Sequence, residues 1–142
     1  MIKLQSRTGT VNSPVNKVYC FLSDFRNFSQ FIPSETIDNW QAEADSCSFT
    51  LSNLGRAGLR MVEREPNRLI KITGEGPHAL TFFLWIQMKE GTPDTTHIRL
   101  TLHADLPFFL KGMASGPLQK VLDMLLSKII EYFDDPRKVK KC

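Results

Sequence analysis

The sequence has few of the residues that would cross-link it or hold it in a membrane. It contains three cysteines, Cys20, Cys47 and Cys142, and this odd number without short spacing indicates neither a disulfide framework nor a zinc knuckle. No apolar run approaches the ~20 residues that a membrane span requires. The alternating, polar N-terminus also lacks the apolar centre of a secretory signal. We therefore expect a soluble protein of a reducing compartment, the cytoplasm, without integral membrane contact.

The excess of one charge sign is also small. Lysine and arginine number 18 and aspartate and glutamate 15, which gives a net charge of +3 and argues against nucleic acid as the partner. The content of 42% hydrophobic and 23% charged residues is typical of globular domains. A length of 142 residues suits one domain spanning 1–142, and we expect a flexible basic tail at 134–142.

The first third of the chain predicts a strand and two short helices. The first ten residues alternate as an edge strand does. Ser13 is a candidate helix cap, and Pro14 suits the first helical position. A second short helix is predicted from Asp24, itself a candidate cap, to Phe31, with three aromatic side chains on one side: Phe25, Phe28 and Phe31.

From Thr36 to Asp105 the hydrophobic period changes to two, which predicts strands. Short turns between alternating strands indicate an antiparallel meander with one apolar face. The residues predicted to point inward are Cys47, Phe49, Leu51, Ala57, Leu59, Met61, Ile70, Ile72, Leu80, Phe82, Leu84, Ile86, Met88, Ile98, Leu100, Leu102 and Ala104.

The last third returns to a helical period, from about Leu110 to Phe133, with a kink or restart at Pro117. One apolar arc is predicted to contain Leu110, Ala114, Leu118, Val121, Leu122, Leu125, Ile129 and Tyr132. A helix about 10 Å across cannot cover a wide flat sheet, so the sheet must curl around it. The predicted fold class is α+β: a curved antiparallel sheet of six to seven strands wrapped around a long C-terminal helix, with two short helices after strand 1. Such an arrangement leaves a cavity where sheet and helix diverge.

This layout resembles the helix-grip order of the START-related superfamily, which includes birch-pollen-allergen-like proteins, lipid-transport domains and polyketide cyclases and dehydrases. The stretches that carry the resemblance are 13–24, Asn27-Phe28, Trp40, 45–49, 104–107, Met113 and Pro117-Leu118. The similarity extends roughly from Ile2 to Phe133. Because that superfamily contains carriers, enzymes and protein-binding modules, the resemblance implies the fold more sharply than the function.

The inward positions carry little chemistry. None is an acid, a histidine or a lysine, so we predict no catalytic residue on the strands, and we read Cys47 as a small core residue. The three histidines are scattered, with His78 in a loop and His97 and His103 on the outward parity, so no metal site and no cofactor are predicted. A cyclase- or aromatase-like enzyme is the alternative, and it would need a group such as Tyr19 or Asp24 from the early helices.

The first hypothesis is therefore non-enzymatic binding or transport of a small hydrophobic molecule, such as a lipid, an isoprenoid or a polyketide. Pockets for such molecules are mostly apolar, although a packed core would use the same residues. The candidate ligand-binding residues are Phe28, Phe31, Phe49, Leu59, Met61, Ile72, Phe82, Leu84, Ile86, Leu100, Leu102, Met113, Leu118 and Val121.

Two features of the predicted outer face suggest partners. Arg56, Arg60 and Arg64 recur on the outward parity of one strand, with Lys71, His97 and Arg99 on nearby strands. Together with the basic tail they predict either contact with an anionic membrane surface or RNA, or simply a solvated outer face, which we favour. The same basic surface motivates a third hypothesis, a protein- or ribosome-interaction module. Phe83 and Trp85 also lie on the outward parity. They predict either a homodimer contact or local cover by neighbouring long side chains.

Overall fold

The computed structural model describes residues 2–31, 37–51, 55–75, 81–105 and 115–135. The elements are β1 (Ile2–Gln5), β2 (Gly9–Val11), α1 (Val15–Leu22), a 3₁₀ helix (Phe25–Phe31), β3 (Ile37–Ala42), β4 (Ser46–Leu51), β5 (Gly55–Glu65), β6 (Leu69–Glu75), β7 (Thr81–Glu90), β8 (Thr96–Asp105) and α2 (Ser115–Asp134). The predictions for His78, Leu80, Leu110, Met113, Ala114 and the tail from 136 onward lie outside the described residues.

The strands form one antiparallel sheet in the order β1-β8-β7-β6-β5-β4-β3, and β2 pairs with β8 beyond β1. The predicted α+β class is confirmed, but the sheet has eight strands rather than six or seven. The extra strand arises because the predicted first strand is interrupted at Ser6. Its backbone N–H donates to the Leu100 carbonyl (2.8 Å), while its Oγ accepts the Leu100 N–H (2.9 Å). A side chain thus replaces a backbone acceptor where the ladder changes register.

The start of α1 differs from the prediction. Pro14 is the N-cap, and no side chain caps the helix, so the prediction for Ser13 is wrong. Ser13 is buried, and its carbonyl accepts a hydrogen bond from Thr96 Oγ1 at 2.8 Å, which fastens this turn to β8. Asp24 does act as a cap, because its Oδ1 accepts the Arg26 N–H at 2.9 Å at the start of the 3₁₀ helix.

Aromatic side chains fill the end of the sheet where the two short helices meet the C-terminal turns of α2. Phe21 stacks on Tyr132 with ring centroids 4.3 Å apart, and it meets Phe31 and Phe133 edge-on. Phe25, Phe28 and Phe31 are all buried, as the spacing predicts. These contacts tie the C-terminal end of α2 to the 3₁₀ helix.

Helix α2 lies over one edge of the sheet, with its main contacts on β1, β2 and β8. Its buried side chains are Leu122, Leu126, Ile129, Tyr132 and Phe133. The approach is close at Gly9, where an added Cβ would lie 2.6 Å from Ile130 Cδ1. The predicted arc omitted Leu126, which is 0% exposed, and included Val121, which is 51% exposed. The buried stripe is therefore rotated, and Val121 lies on its flank.

A β-bulge divides β5. Met61 pairs with Ile72 but Glu63 pairs with Lys71, so Val62 is an extra residue and is 48% exposed. Beyond the bulge Arg64 lies opposite Ile70, a fully buried inner residue. Because the side chains of directly opposed residues share a face, Arg64 belongs to the inner parity. Its predicted place on the outer face is wrong, whereas Arg60 pairs with outward Thr73 as expected.

The outermost strand, β3, is also irregular. Its register with β4 shifts between Asp38 and Gln41, and Asn39 has a left-handed φ of 55°. Trp40 stacks on the inner residue Phe49 with ring centroids 5.8 Å apart. Asp38, Asn39 and Gln41 are exposed.

Candidate ligand-binding site

The candidate ligand-binding residues separate into a packed group and an accessible group. The packed group is buried: Phe28, Phe31, Phe49, Met61, Ile72, Ile86, Leu100 and Leu102. Within it, Ile72 and Ile86 are each 1% exposed and Leu100 is 0% exposed, so even a water molecule scarcely reaches them. In this conformation these three side chains contact protein and not a bound molecule. Met113 and the side chain of Leu118 lie outside the described structure.

The accessible group lies on the inner face of β5 and β7. Leu59, Phe82 and Leu84 are each partly buried. Their register fixes the face, because Leu59 lies opposite Cys47, Phe82 opposite Ala104 and Leu84 opposite Ile72 and Leu102. The apolar surface of the inner face is therefore more open here than under α2.

One flank of α2 supplies a second apolar surface. Gln119 donates to the Gln5 carbonyl at 2.9 Å, and Ile130 approaches Gly9, so this side of the helix faces β1 and β2. At 100° per residue, Val121 and Leu125 lie on the opposite flank. Val121 is 51% exposed there and Leu125 is partly buried. We define the inner groove as this flank of α2 together with the accessible inner-face residues Leu59, Phe82 and Leu84.

The titratable groups near the inner face are not arranged for proton transfer. Burial raises the pKa of the Cys47 thiol to about 12, so the thiol stays protonated. The hydrogen bonds and charge of Arg26 lower the pKa of Asp24, so this carboxyl stays ionised. A protonated thiol is a poor nucleophile, and an ionised carboxylate cannot donate a proton. Tyr19 is partly buried on α1, and no reactive pair joins it in the described structure.

Arg64 is a charged inner residue that the sequence reasoning missed. Its Nη2 donates to the Ser23 carbonyl (2.9 Å), the Ala44 carbonyl (3.4 Å) and Asp45 Oδ1 (2.6 Å). It thereby joins β5 to the end of α1 and to the β3–β4 turn, and its buried Nε has no hydrogen-bond partner among the described residues. The signal for this inversion was the adjacent apolar pair Met61-Val62, which breaks the alternation of β5.

The outer face carries the remaining predicted residues. Arg56 donates to Ser48 Oγ at 2.8 Å, and Arg60 pairs with Glu75 at 2.8 Å. His97 and His103 lie on this face as predicted, since they pair with Lys89 and Phe83. Among the residues that the structure describes, no group of three histidine, cysteine or acidic side chains could hold a metal ion.

Phe83 and Trp85 are covered locally. Their ring centroids are 5.9 Å apart, and the Lys71 ammonium lies 4.4 Å from the Phe83 centroid. His103 meets Trp85 edge-on at 4.8 Å. Of the two readings of this pair, local cover is the one seen within the chain. A homodimer through these residues stays a prediction.

In the described part of the chain, neither helix combines the length and apolar character that a bilayer span requires.

No family model and no curated protein matches the sequence. Solved structures do match its fold. XoxI from Bacillus cereus is similar with a TM-score of 0.75 at 14% identity, over 96% of this chain and 99% of that one.

Two further solved structures agree. An uncharacterized protein of Bacillus thuringiensis is similar with a TM-score of 0.71 at 14% identity, over 94% of this chain and 100% of that one. The Aha1 dimer from Colwellia psychrerythraea gives a TM-score of 0.63 at 12% identity, over 94% and 96% of the two chains. Sequence identities this low support a shared architecture but not a shared activity. The chain therefore has a helix-grip fold, a curved antiparallel sheet with a C-terminal helix.

Proposed function

We propose that this protein is a non-enzymatic binding or transport protein for a small hydrophobic molecule, held in the inner groove. The observation that carries the proposal is apolar surface left open: Val121 is 51% exposed on the flank of α2 turned away from β1 and β2, and Leu59, Phe82 and Leu84 on the inner face of the sheet are partly exposed. Apolar surface left open between two structural elements is typical of ligand sites. A lipid, an isoprenoid or a polyketide-like molecule has the required chemistry.

The expected affinity is moderate. Burial of roughly 300 Å² of apolar ligand surface contributes about 7 kcal/mol at ~25 cal/mol/Å². Loss of translational and rotational freedom offsets a large part of that gain. The residues described around the groove offer few polar anchors, so shape and apolar area would decide which molecules bind.

The cyclase- or aromatase-like alternative has less support. Cyclisation needs a proton donor or acceptor within hydrogen-bond reach of the substrate. Asp24 is already bonded to Arg26, with Oδ2 and Nη2 2.6 Å apart, and it serves as a cap. The Cys47 thiol stays neutral. We therefore infer binding without chemistry, within a single cytoplasmic domain.

The experiment is a titration of the purified chain with a fluorescent fatty acid, accompanied by native mass spectrometry of the untreated protein. We compare Val121→Glu with Lys120→Glu, which adds a carboxylate at the next position but on the exposed polar side of α2. We expect the wild type and Lys120→Glu to bind equally, and Val121→Glu to bind at least tenfold more weakly because a carboxylate in an apolar groove is costly.

Two results would contradict the proposal. One is the absence of binding to a panel of fatty acids, isoprenoids and aromatic polyketides, together with no copurified small molecule. The other is equal affinity in the two variants, which would place the bound molecule elsewhere. Thermal unfolding of both variants checks that the fold is intact.

A further inference from the structure

The outer face of β7 and β8 has an uneven distribution of charge. The two strands pair in continuous register from Thr81–Asp105 to Glu90–Thr96. Asp105, at one of these ends, and Glu63, opposite Lys71 on β5, carry carboxylates on the outer face. The residues of β7 and β8 that point outward between the two ends carry none. They are Phe83, Trp85, Gln87 and Lys89 on β7, and His97, Arg99, Thr101 and His103 on β8. We call this set the outer strip.

Three rings, tilted or edge-on to one another, cluster at one end of the outer strip. Trp85 lies 4.8 Å from His103 and 5.9 Å from Phe83, measured between ring centroids, and all three are partly exposed. Lys71 on the neighbouring strand places its ammonium 4.4 Å from the Phe83 centroid and 5.4 Å from the Trp85 centroid. The Lys71 ammonium therefore lies over the Phe83 and Trp85 rings within cation–π distance.

Cations continue along the other end of the outer strip. A surface depression of about 310 Å³ is lined by Thr8, Gln87, Met88, Lys89, His97, Ile98 and Arg99 and contains no acidic side chain. Arg99 is exposed, and its Nε donates to Gln87 Oε1 at 3.2 Å, which holds the guanidinium over the strand. A second depression shares Gln87, Met88, Lys89 and Arg99 with the first and is also lined by Glu65 and Glu90, so two acidic groups lie near the cations at this end.

We propose that the outer strip binds single-stranded nucleic acid. Residues two apart on a strand are separated by about 6.8 Å, so Arg99, opposite Gln87, lies one such step along the sheet from Trp85, opposite Thr101. Bases would stack on Trp85 and Phe83 while phosphates meet Lys71, Lys89 and Arg99. Rings interleaved with cations on a sheet face are the features by which proteins bind single strands.

Charge distinguishes this partner from a second copy of the chain. Face-to-face packing of two outer strips would enclose Lys71, Lys89 and Arg99 of both molecules in one interface to which neither strip contributes a carboxylate, and like charges repel across an interface. A polyanion neutralises them. The net charge of +3 argued against nucleic acid, but the net value does not report how the charges are segregated on the two faces. The outer strip lies on the opposite face from the inner groove, so this proposal stands independently of the proposed function.

The test is fluorescence anisotropy of a labelled, mixed-sequence single-stranded RNA with the full chain, between about 50 and 200 mM salt. Lys71→Gln with Arg99→Gln is expected to weaken binding about tenfold and to reduce the slope of log affinity against log salt by about 1.4, since each lost phosphate contact removes about 0.7. The matched control is Lys17→Gln with Lys120→Gln, which removes the same charge from exposed positions on the two α-helices and should change the affinity less than about twofold.

A second variant tests stacking. Trp85→Leu keeps an apolar side chain, and we expect it to weaken binding at least about fivefold with an unchanged salt slope. Three outcomes would overturn the proposal: no binding at low salt, equal binding of the duplex or of polyglutamate, or a dimer of the wild-type chain that Trp85→Leu converts to a monomer. The last would show that a second copy covers the outer strip.

Discussion

Arg64 and Ile70 lie directly opposite each other on neighbouring strands, and both belong to the inner face of the sheet. One extra residue, Val62, brings this about by shifting the register of β5 by one position. The guanidinium of Arg64 is not left unpaired in the apolar interior, because it donates to the Ser23 and Ala44 carbonyls and to Asp45 at the rim. The bulge thus converts an outward arginine into a link between three parts of the chain.

We expect Arg64→Gln to destabilise the protein by about 1–2 kcal/mol, because two backbone carbonyls lose a charged donor. Arg60→Gln is the control on the same strand. Its ion pair with Glu75 joins side chains that are 50% and 42% exposed, so its loss should cost less than about 0.5 kcal/mol. Urea unfolding of the two variants gives the comparison, and equal midpoints would contradict the assigned role of Arg64.

Gly9 is where α2 approaches the sheet most closely among the glycines described. A Cβ there would stand 2.6 Å from Ile130 Cδ1, so Gly9→Ala should cost about 1 kcal/mol and Gly9→Val about 2–3 kcal/mol. Because Ile130→Val removes the opposing methyl group, it should relieve part of the cost of Gly9→Ala. A double-mutant cycle measures this coupling. Strictly additive changes in the free energy of unfolding would show that Ile130 does not contact the side chain introduced at position 9.

Truncation of a buried side chain of α2 should lower stability, whereas truncation of an exposed one on a neighbouring turn should lower ligand binding. Leu126 is 0% exposed, and Leu126→Ala should cost about 2–4 kcal/mol. Val121 is 51% exposed, and Val121→Ala should leave the free energy of unfolding within about 0.5 kcal/mol while weakening binding of a fluorescent fatty acid. If Val121→Ala were as destabilising as Leu126→Ala, the flank would be part of the core and not a groove wall.

Asp24 should make the stability depend on pH in the acid range. Its pKa is lowered by hydrogen bonds and charge from Arg26, so its contribution is present above its ordinary pKa of 3.8 and is lost as the pH falls below that value. We expect Asp24→Ala to cost about 1 kcal/mol at neutral pH. The difference from wild type should narrow below about pH 4. A constant difference across this range in urea unfolding would contradict the linkage. Asp38→Ala, at an exposed carboxylate of β3, is the comparison variant.

Cys47 should resist alkylation. Burial raises its pKa to about 12 from an ordinary value of 9.0, and the thiolate is the reactive form. Peptide-level mass spectrometry after iodoacetamide treatment should show Cys47 unmodified in the native protein and modified in concentrated urea. Because the folded pKa is raised, this thiol's contribution to stability is complete below pH 9 and declines toward pH 12. Rapid native labelling at Cys47 would contradict the burial.

The regular parts of the sheet were predictable because alternation determines which face a strand residue occupies. Ile70, Ile72, Ile86, Met88, Ile98 and Leu100 are all buried as the period of two predicts. Arg64 was not predictable from parity, since a single inserted residue reverses the faces beyond it. The interruption of the first strand at Ser6 was not predicted for a related reason. There the Ser6 hydroxyl oxygen accepts the Leu100 N–H in place of a backbone carbonyl, and alternation does not report such a bond.

The candidate site was predictable only in part. The apolar arc of α2 follows from its period, but the helix has apolar residues on more than half its circumference, so its rotation depends on tertiary packing. Contact with Gly9 and Gln5 sets that rotation and leaves Val121 on the open flank. Composition likewise could not show which charges share the outer strip, because strand pairing places Arg99 one step along the sheet from Trp85 and Lys89 opposite His97.

The irregular border of β3 limits how molecules of this protein can associate. The left-handed Asn39 and the register shift beside it break the row of unpaired amide and carbonyl groups that a foreign strand would need as a template. Polymerisation by strand addition is therefore discouraged at this border. Fibril growth from this margin should therefore be slow.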